Sequence, residues 1–441
     1  MFDKGNDQGA FGPRHIVAYG WRIAGAVDSA ALRAALLDVV VRHEALRTSI
    51  VRDVDQPYQL VHPPQTPELL EYALDDSDQR PRDVLAHLFV NQIESGRCPV
   101  DEQPLLRAAL GRFDDQDAVL VLYAHHTVSD GWSLQLIVRD LVQFYAARRG
   151  FGPPRLPELT QYQDFTAWQR EELNKDHIAV ARGYWRDKLA GAEFLPVPTD
   201  RTKTDDTGVY TAYRFTIDHD ITSATQLLAK QLRSSPFMVL QGAFNLWVHK
   251  MTGVTDVVVP TISSGRVDPR FYDTVGPLLN FVPLRTDLSE CRTFRDVLAR
   301  TRATCLEAYS YEIPFSEVFA EAPGVFGTFA DQDSAVHALE VFQFPVGADG
   351  TLVGDIKVSE MRRRLVTDPD TSDIPDGVLW ALDIHPEGDM VGSVRFNGND
   401  VDQATAVEWV DDYVALLRGA LAAIDTPIGE LPEPARAPEP R

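Results

Sequence analysis

Apolar residues recur with helical spacing in some segments of the chain and form short unbroken blocks in others. Residues 28–42 place apolar side chains on one helical face, which predicts an amphipathic helix capped by Asp28. Residues 118–124 form an apolar block that predicts a buried strand, and residues 133–147 return to helical spacing. Strands and helices that alternate in this way indicate an α/β or α+β fold class.

The alternation continues in the second half of the chain. It predicts strands over 209–217, 256–260, 378–384 and 390–396, and helices over 237–251 and 404–424. Residues 427–441 are rich in Pro, Glu and Arg and predict a disordered tail. A chain of 441 residues has room for two or three globular units.

Acidic residues outnumber basic ones, 65 to 42, and the formal net charge is -23 at pH 7. A field of this sign repels polyphosphates and anionic lipid headgroups, so neither a nucleic-acid partner nor a membrane partner is predicted. No apolar run approaches the ~20 residues of a bilayer span, and the N-terminus lacks a signal-peptide pattern. The sequence predicts a soluble, cytoplasmic protein.

Three cysteines, Cys98, Cys291 and Cys305, lie far apart in the sequence. Their spacing excludes a disulfide framework and a cysteine-rich zinc site, and it fits a reducing compartment. The sequence predicts no metal site.

The strongest chemical signal is the segment HHTVSDG at residues 125–131, which lies between a predicted strand and a predicted helix. Because successive strand side chains point to opposite faces, only one of His125 and His126 is expected to reach a substrate. A neutral imidazole can accept a proton at neutral pH. Gly131 allows close backbone approach, and its N–H could face a developing oxyanion.

Two alternatives stay open on the residues alone. Asp130 could be the third member of a catalytic triad, or it could pair with an arginine and hold the loop. The segment as a whole could also be a buried histidine pair with a capping aspartate, without any chemistry.

Further segments share one order with a known family. They are RHEALRT at 42–48, QPLLR at 103–107, YQDFTAWQ at 162–169, YW and LAG within 184–191, TGVTDVVVP at 252–260, GR at 265–266, and GPLLNFVPLR at 276–285. Together with HHTVSDG they resemble the condensation domains of nonribosomal peptide synthetases over nearly the whole chain.

The resemblance implies two chloramphenicol-acetyltransferase-like lobes in a V-shaped pseudo-dimer, with the active site in a cleft or tunnel. It places the first lobe, with HHTVSDG, at residues 1–175 and the second at 176–426. The chain departs from the family at GPLLNF (276–281) and at YEIPF (311–315), and it lacks the opening Ser-x-Ala-Gln-x-x-x-Trp helix. The two internal departures imply unusual acceptor specificity.

The resemblance also implies roles for the site residues. His126 becomes the catalytic histidine, and Gly131 lines the reaction centre. His125, Asp130 and Arg107 become structural residues at the site, with Arg107 as the partner of Asp130.

Two more residues are candidates for binding substrate. Asn280 precedes an apolar strand and could hydrogen-bond a substrate or serve as a core amide. Ser133, in the first turn of the predicted helix, is the second candidate.

The function implied is that of a free-standing condensation enzyme in antibiotic biosynthesis. It would take an acyl or aminoacyl thioester from the phosphopantetheine arm of a peptidyl or acyl carrier protein in trans, with no bound cofactor of its own. The predicted acceptor is a small free alcohol, which gives an ester, and the matching amine would give an amide. An acyl-CoA-dependent O-acyltransferase and a catalytically inactive recruitment domain are the alternatives, and an epimerase is a more distant one.

Overall fold

The structure is a computed structural model that describes residues 9–52, 54–74, 79–203, 208–343, 347–362, 365–374, 377–385 and 388–435. The chain divides into two compact units. Unit 1 contains Met1–Glu171, Ser264–Leu279 and Phe344–Pro375, and unit 2 contains Glu172–Ser263, Asn280–Gln343 and Asp376–Arg441. This division differs from the two continuous ranges predicted, 1–175 and 176–426, because two later segments pack into the first unit.

The strands and helices follow one another along the chain in a mixed α/β order. The strands are β1 Ile16–Ala24, β2 Thr48–Val51, β3 Tyr58–Val61, β4 Leu69–Ala73, β5 Leu106–Asp114, β6 Asp117–His125, β7 Pro196–Pro198, β8 Tyr210–Ile217, β9 Asp256–Ser263, β10 Asn280–Asp287, β11 Ser334–Phe342, β12 Thr351–Val353, β13 Ile356–Glu360, β14 Val378–Ile384 and β15 Met390–Asn397. The helices are α1 Ser29–Arg42, α2 Arg82–Glu94, α3 Gly131–Arg148, α4 Tyr162–Glu172, α5 Asp176–Lys188, α6 His219–Gln231, α7 Pro236–Thr252, α8 Phe294–Ser310, α9 Phe315–Glu321 and α10 Gln403–Ala422. Each predicted helix and strand overlaps one of these elements.

Unit 1 is built on a six-stranded sheet in the order β12-β13-β1-β6-β5-β4. Helices α1 and α3 pack against each other, and α2 packs on β1, β5 and β6. Asp28 caps α1 as predicted, because its carboxylate accepts the N–H groups of Ala30 and Ala31 at 2.9 and 3.0 Å. In the antiparallel pair of β1 and β6, Ile16 lies opposite His125. The start of β1 is therefore next to the end of β6, where HHTVSDG begins.

Unit 2 is built on a five-stranded sheet in the order β7-β11-β14-β15-β8, with β9 and β10 paired beside β11. Helices α6, α7 and α10 contact one another and enclose an aromatic core. The ends of α7 follow from local sequence. The Ser235 hydroxyl accepts the Met238 N–H, Pro236 fits the first turn, and Gly253 ends the helix with a φ of 72° that suits glycine.

The predicted disordered tail is wrong for the part that the structure describes. Residues 428–430 form a single 3-10 turn, and Leu431 is buried in the core of unit 2. The Ala435 N–H donates to the Asp412 carboxylate at 3.0 Å. The buried Leu431 and this hydrogen bond order a segment whose composition alone predicts disorder. Residues 436–441 lie outside the described residues.

In the described ranges, no helix has the length and apolar content that crossing a bilayer requires.

One buried carboxyl in unit 2 gives a pH-dependent prediction. Glu340 on β11 is only 8% exposed, and burial raises its pKa to about 8, with the charge of Arg395 acting in the opposite direction. The folded state therefore holds a proton that the unfolded chain releases near pH 4.5, and the associated stability is lost as the pH rises from there through 8. At pH 7 the free energy of unfolding is lower by ~3 kcal/mol than it is below pH 4.5, as far as this group is concerned.

We expect Glu340→Gln to raise the melting temperature at pH 8 and to leave it nearly unchanged at pH 4.5, because glutamine stays neutral throughout. Thermal unfolding over this pH range checks the prediction, with the exposed Glu193 changed to Gln as the matched control. A gain of the same size at both pH values would contradict it.

Candidate active site

His125 is the last residue of β6 and is fully buried. Its Nε2 lies 2.9 Å from the Gly12 main-chain oxygen, and its Nδ1 lies 2.8 Å from the Thr127 hydroxyl. Burial lowers the pKa of His125 to about 4, so the ring is neutral at physiological pH. With both ring nitrogens engaged inside unit 1, His125 has the surroundings of a structural residue.

His126 begins the turn after β6 and is half-buried. Its amide N–H donates to the main-chain oxygen of His15 at 2.9 Å. The rings of His15 and His126 are stacked, with centroids 4.7 Å apart and planes at 22°. His126 is therefore the more exposed histidine of the pair, and its catalytic role stays a prediction.

Asp130 forms a buried ion pair with Arg266. The guanidinium donates to both carboxylate oxygens, from Nη1 at 2.9 Å and from Nη2 at 3.1 Å. The side chain of Arg266 is 1% exposed and that of Asp130 is 5% exposed. Asp130 also caps α3 through the Ser133 N–H and accepts the Leu278 N–H at 3.1 Å. The carboxylate thus joins the start of α3 to the segment 264–279.

The predicted pairing of Asp130 with Arg107 is wrong. Arg107 lies on β5, and its guanidinium contacts the carboxylates of Glu68 and Glu102 instead. Both partners are carboxylates that are about half exposed. Arg266 takes the place beside Asp130 because its segment folds back onto α3. The sequence did contain a signal for this partner. The GR segment at 265–266 resembles the family, but no role was assigned to Arg266.

Gly265 shapes this segment. Its φ is 62°, and a side-chain Cβ there would lie 1.7 Å from the Leu278 main-chain oxygen. Glycine is therefore required for the chain to turn at this point and for Arg266 to reach Asp130.

Neither candidate for substrate binding has a free polar group. The Ser133 hydroxyl is fully buried, donates to Asp130 at 2.7 Å, and accepts N–H groups of Arg266 and Gly276, each at 3.1 Å. The Asn280 amide of unit 2 donates to Glu312 and to the Ile313 oxygen. The Asn280 oxygen accepts the Phe315 N–H at 2.9 Å. Both residues thus make internal connections, which for Asn280 agrees with the core-amide alternative and for Ser133 differs from the predicted substrate contact.

A second buried cluster holds the middle of α3. Asp140 is fully buried and contacts His43 Nε2 at 2.9 Å and the guanidinium groups of Arg42 and Arg139, each at 2.8 Å. Burial alone would raise the pKa of Asp140, but the hydrogen bond from His43 and the charge of Arg139 keep it below its usual value. Arg139 also forms an ion pair with Asp273, which lies in the same segment as Arg266. The RHEALRT segment therefore fixes the helix that begins at Gly131.

Gly131 is the first residue of α3 and is half-buried. The N–H groups in the first turn of a helix have no partner within the helix, and the helix dipole makes this end positive. The Asp130 carboxylate, paired with Arg266, already accepts the Ser133 N–H of this turn, so a developing negative charge would face the Gly131 end of the helix. Among the described residues, no group of His, Cys, Asp and Glu side chains could hold a metal ion.

Comparison with known sequences identifies relatives of this chain. The chain matches the Condensation domain family over residues 15–324. It is 35% identical, over 91% of its length, to CymA of Salinispora arenicola, a probable nonribosomal peptide synthetase. It is 30% identical, over 95% of its length, to a dimodular nonribosomal peptide synthase of Bacillus subtilis. The chain spans only 5% and 18% of the length of these two relatives.

Solved structures give the same result. SgcC5 of Streptomyces globisporus, crystallised with (R)-(-)-1-(2-naphthyl)-1,2-ethanediol and sucrose, is 40% identical with a TM-score of 0.91, and the match covers 96% of both chains. The first condensation domain of the calcium-dependent antibiotic synthetase shares the fold at 18% identity, with a TM-score of 0.76 and coverage of 95% and 94%. These similarities confirm the chloramphenicol-acetyltransferase-like fold class. The chain belongs to the condensation domain family of nonribosomal peptide synthesis.

Proposed function

We propose that the protein is a free-standing condensation enzyme of natural-product biosynthesis. It transfers an acyl or aminoacyl group from the phosphopantetheine thioester of a carrier protein to a small free alcohol or amine. The observation that carries the proposal is His126, a half-buried histidine held in the turn between β6 and α3. Membership of the condensation domain family supports the reaction class.

In this reaction the acceptor oxygen forms a bond to the thioester carbon, and the carbon–sulfur bond breaks. His126 takes the proton of the attacking hydroxyl, and that proton neutralises the departing thiolate. A positioned base of this kind contributes ~10²–10⁴-fold to the rate. Gly131 and the positive end of α3 favour the negative charge that develops on the thioester oxygen.

Asp130 takes no proton in this scheme. Its two oxygens accept five N–H or O–H groups, from Arg266, Ser133 and Leu278. Its role is to hold the start of α3 in place, so that Gly131 keeps its position relative to His126.

The preference for an alcohol rests on the similarity to SgcC5, which was crystallised with an aromatic 1,2-diol. An alcohol is neutral but weakly nucleophilic, so it depends on a positioned base in the transition state. The matching amine should react at the same histidine, since it also sheds one proton. An ester is therefore the expected product, and the amide is the product with an amine.

The test supplies a carrier protein loaded with a panel of acyl and aminoacyl groups, and (R)-1-(2-naphthyl)-1,2-ethanediol as the free acceptor. We expect ester formation from at least one carrier-bound donor, at least about tenfold faster than from the same acyl group on CoA. Product mass and turnover rate are the measurements, and wild-type protein without the acceptor is the control.

Each other outcome points to a different function. A preference for the CoA donor indicates an acyl-CoA-dependent O-acyltransferase. Product only with a carrier-loaded acceptor contradicts the free-acceptor proposal. No transfer from any donor, together with binding of a carrier protein, indicates a recruitment domain.

A further inference from the structure

His15 is a third histidine at the site, and no sequence motif singles it out. It immediately precedes β1, and its ring stacks on that of His126 at 4.7 Å. Its ring also meets that of His125 edge-on, with centroids 6.2 Å apart and planes at 74°. Its main-chain oxygen accepts the His126 amide N–H. His15 thus holds His126 through both its backbone and its ring.

The ring of His15 is itself held by the segment 370–373 of unit 1. Its Nδ1 lies 3.3 Å from the Asp373 main-chain oxygen. The neighbouring Arg14 donates to the Asp373 carboxylate at 3.0 Å and to the Thr371 oxygen at 2.7 Å. The Asp373 N–H returns a hydrogen bond to the Arg14 oxygen at 3.0 Å. Most of these bonds hold the main chain at Arg14 and His15, and with it the base of the His15 side chain, against a distant part of unit 1.

A half-buried imidazole at the start of a turn can rotate about its side-chain bonds, and each rotation moves its nitrogens away from a reacting proton. A base contributes to the rate only within hydrogen-bond reach of that proton. A misplacement of about 1 Å can cost roughly 10²-fold in rate. An aromatic ring stacked at this distance limits such rotation.

We propose that His15 is a positioning residue that keeps the His126 ring in its reactive orientation by stacking on it, so that the segment 370–373 takes part in ordering the active site. The inference rests on the proposed function. It assigns to His15 a role through its ring face, separate from any proton transfer by its nitrogens.

The test compares His15→Phe, which keeps a flat ring, with His15→Leu, which has similar bulk but no stacking face. We expect His15→Leu to lower kcat about tenfold with a smaller effect on KM, and His15→Phe to stay within about threefold of wild type. The main-chain bond to His126 is present in both variants. The exposed His177 changed to Leu is the control for the substitution itself.

Two further measurements separate positioning from folding and from the proposed function. In a His126→Ala background, His15→Leu should cause no additional loss of rate, since two residues that act as one unit are not additive. In protein labelled with ¹³C-histidine, the His126 ring resonance, assigned by its loss in His126→Ala, should shift in His15→Leu and keep a ring-stacked position in His15→Phe. The second measurement needs no turnover.

Three results would overturn the inference. They are equal kcat values for the Leu and Phe variants, an additive loss in the His126→Ala background, and an unchanged His126 resonance in His15→Leu. If wild-type protein turns over no substrate at all, the proposed function fails while the resonance still reports on the stacking.

Discussion

Replacement of His126 by alanine is expected to lower the turnover of the condensation reaction by about 10²-fold or more. The residue is half-buried in the turn after β6, so its loss removes less packing than the loss of a core side chain and should change the melting temperature only slightly. The effect should fall on kcat, because a base acts on the proton of the bound acceptor. Single-turnover kinetics with a loaded carrier protein measure it.

The matched control is the neighbouring residue of the same type. His125 is fully buried with both ring nitrogens engaged, so His125→Ala creates a cavity and removes the hydrogen bonds of the ring to the Gly12 oxygen and to Thr127. We expect a loss of about 3 kcal/mol in unfolding free energy, seen as a lower melting temperature. An inactive but fully stable His125→Ala, beside an active His126→Ala, would reverse the two assignments.

The elements of the fold were predictable because their signals are local. The helical spacing and the Asp28 cap define α1, and the apolar block before His125 defines β6 within one or two residues at each end. The division into units was not predictable in this way. The segments 264–279 and 344–375 join unit 1 through contacts with residues more than 100 positions away, and no local pattern records them.

The site shows the same limit. Alternation along the strand led to the prediction that His125 and His126 differ in role, and the structure gives them different surroundings. The partner of Asp130 could not be read from spacing, because two arginines, Arg107 and Arg266, stood in segments that resembled the family. The turn of the chain at Gly265, which places Arg266 beside Asp130, is visible only in the structure.

His15 lay beyond the reach of the sequence altogether. A single histidine before a strand has no partner pattern, and its distance of 111 positions from His126 hides the stack that the pairing of β1 with β6 creates. The register of the two strands brings these rings together.

The buried pair of Asp130 and Arg266 gives the largest expected effect on stability. Removal of either partner leaves a charge buried without its counter-ion, which costs about 3–5 kcal/mol. We therefore expect Asp130→Ala and Arg266→Ala each to lower the melting temperature strongly, measured by calorimetry on the full chain. Because the two residues share one interaction, the double variant should lose clearly less than the sum of the single losses.

Arg107→Ala is the control that distinguishes this pair from the one the sequence suggested. The two carboxylates that Arg107 contacts, Glu68 and Glu102, are 50% and 58% exposed, so water can solvate them once the arginine is gone. The Arg107 side chain is 15% exposed, so its loss removes some packing, but it leaves no buried charge without a counter-ion. Arg107→Ala should therefore lose clearly less stability than Arg266→Ala and show additive losses with Asp130→Ala. If Arg107→Ala instead couples to Asp130 and Arg266→Ala does not, the pairing seen in the structure does not hold in solution. If Asp130→Asn melts like wild type and yet abolishes turnover, the carboxylate acts in the chemistry and not only in holding α3 to the segment around Arg266.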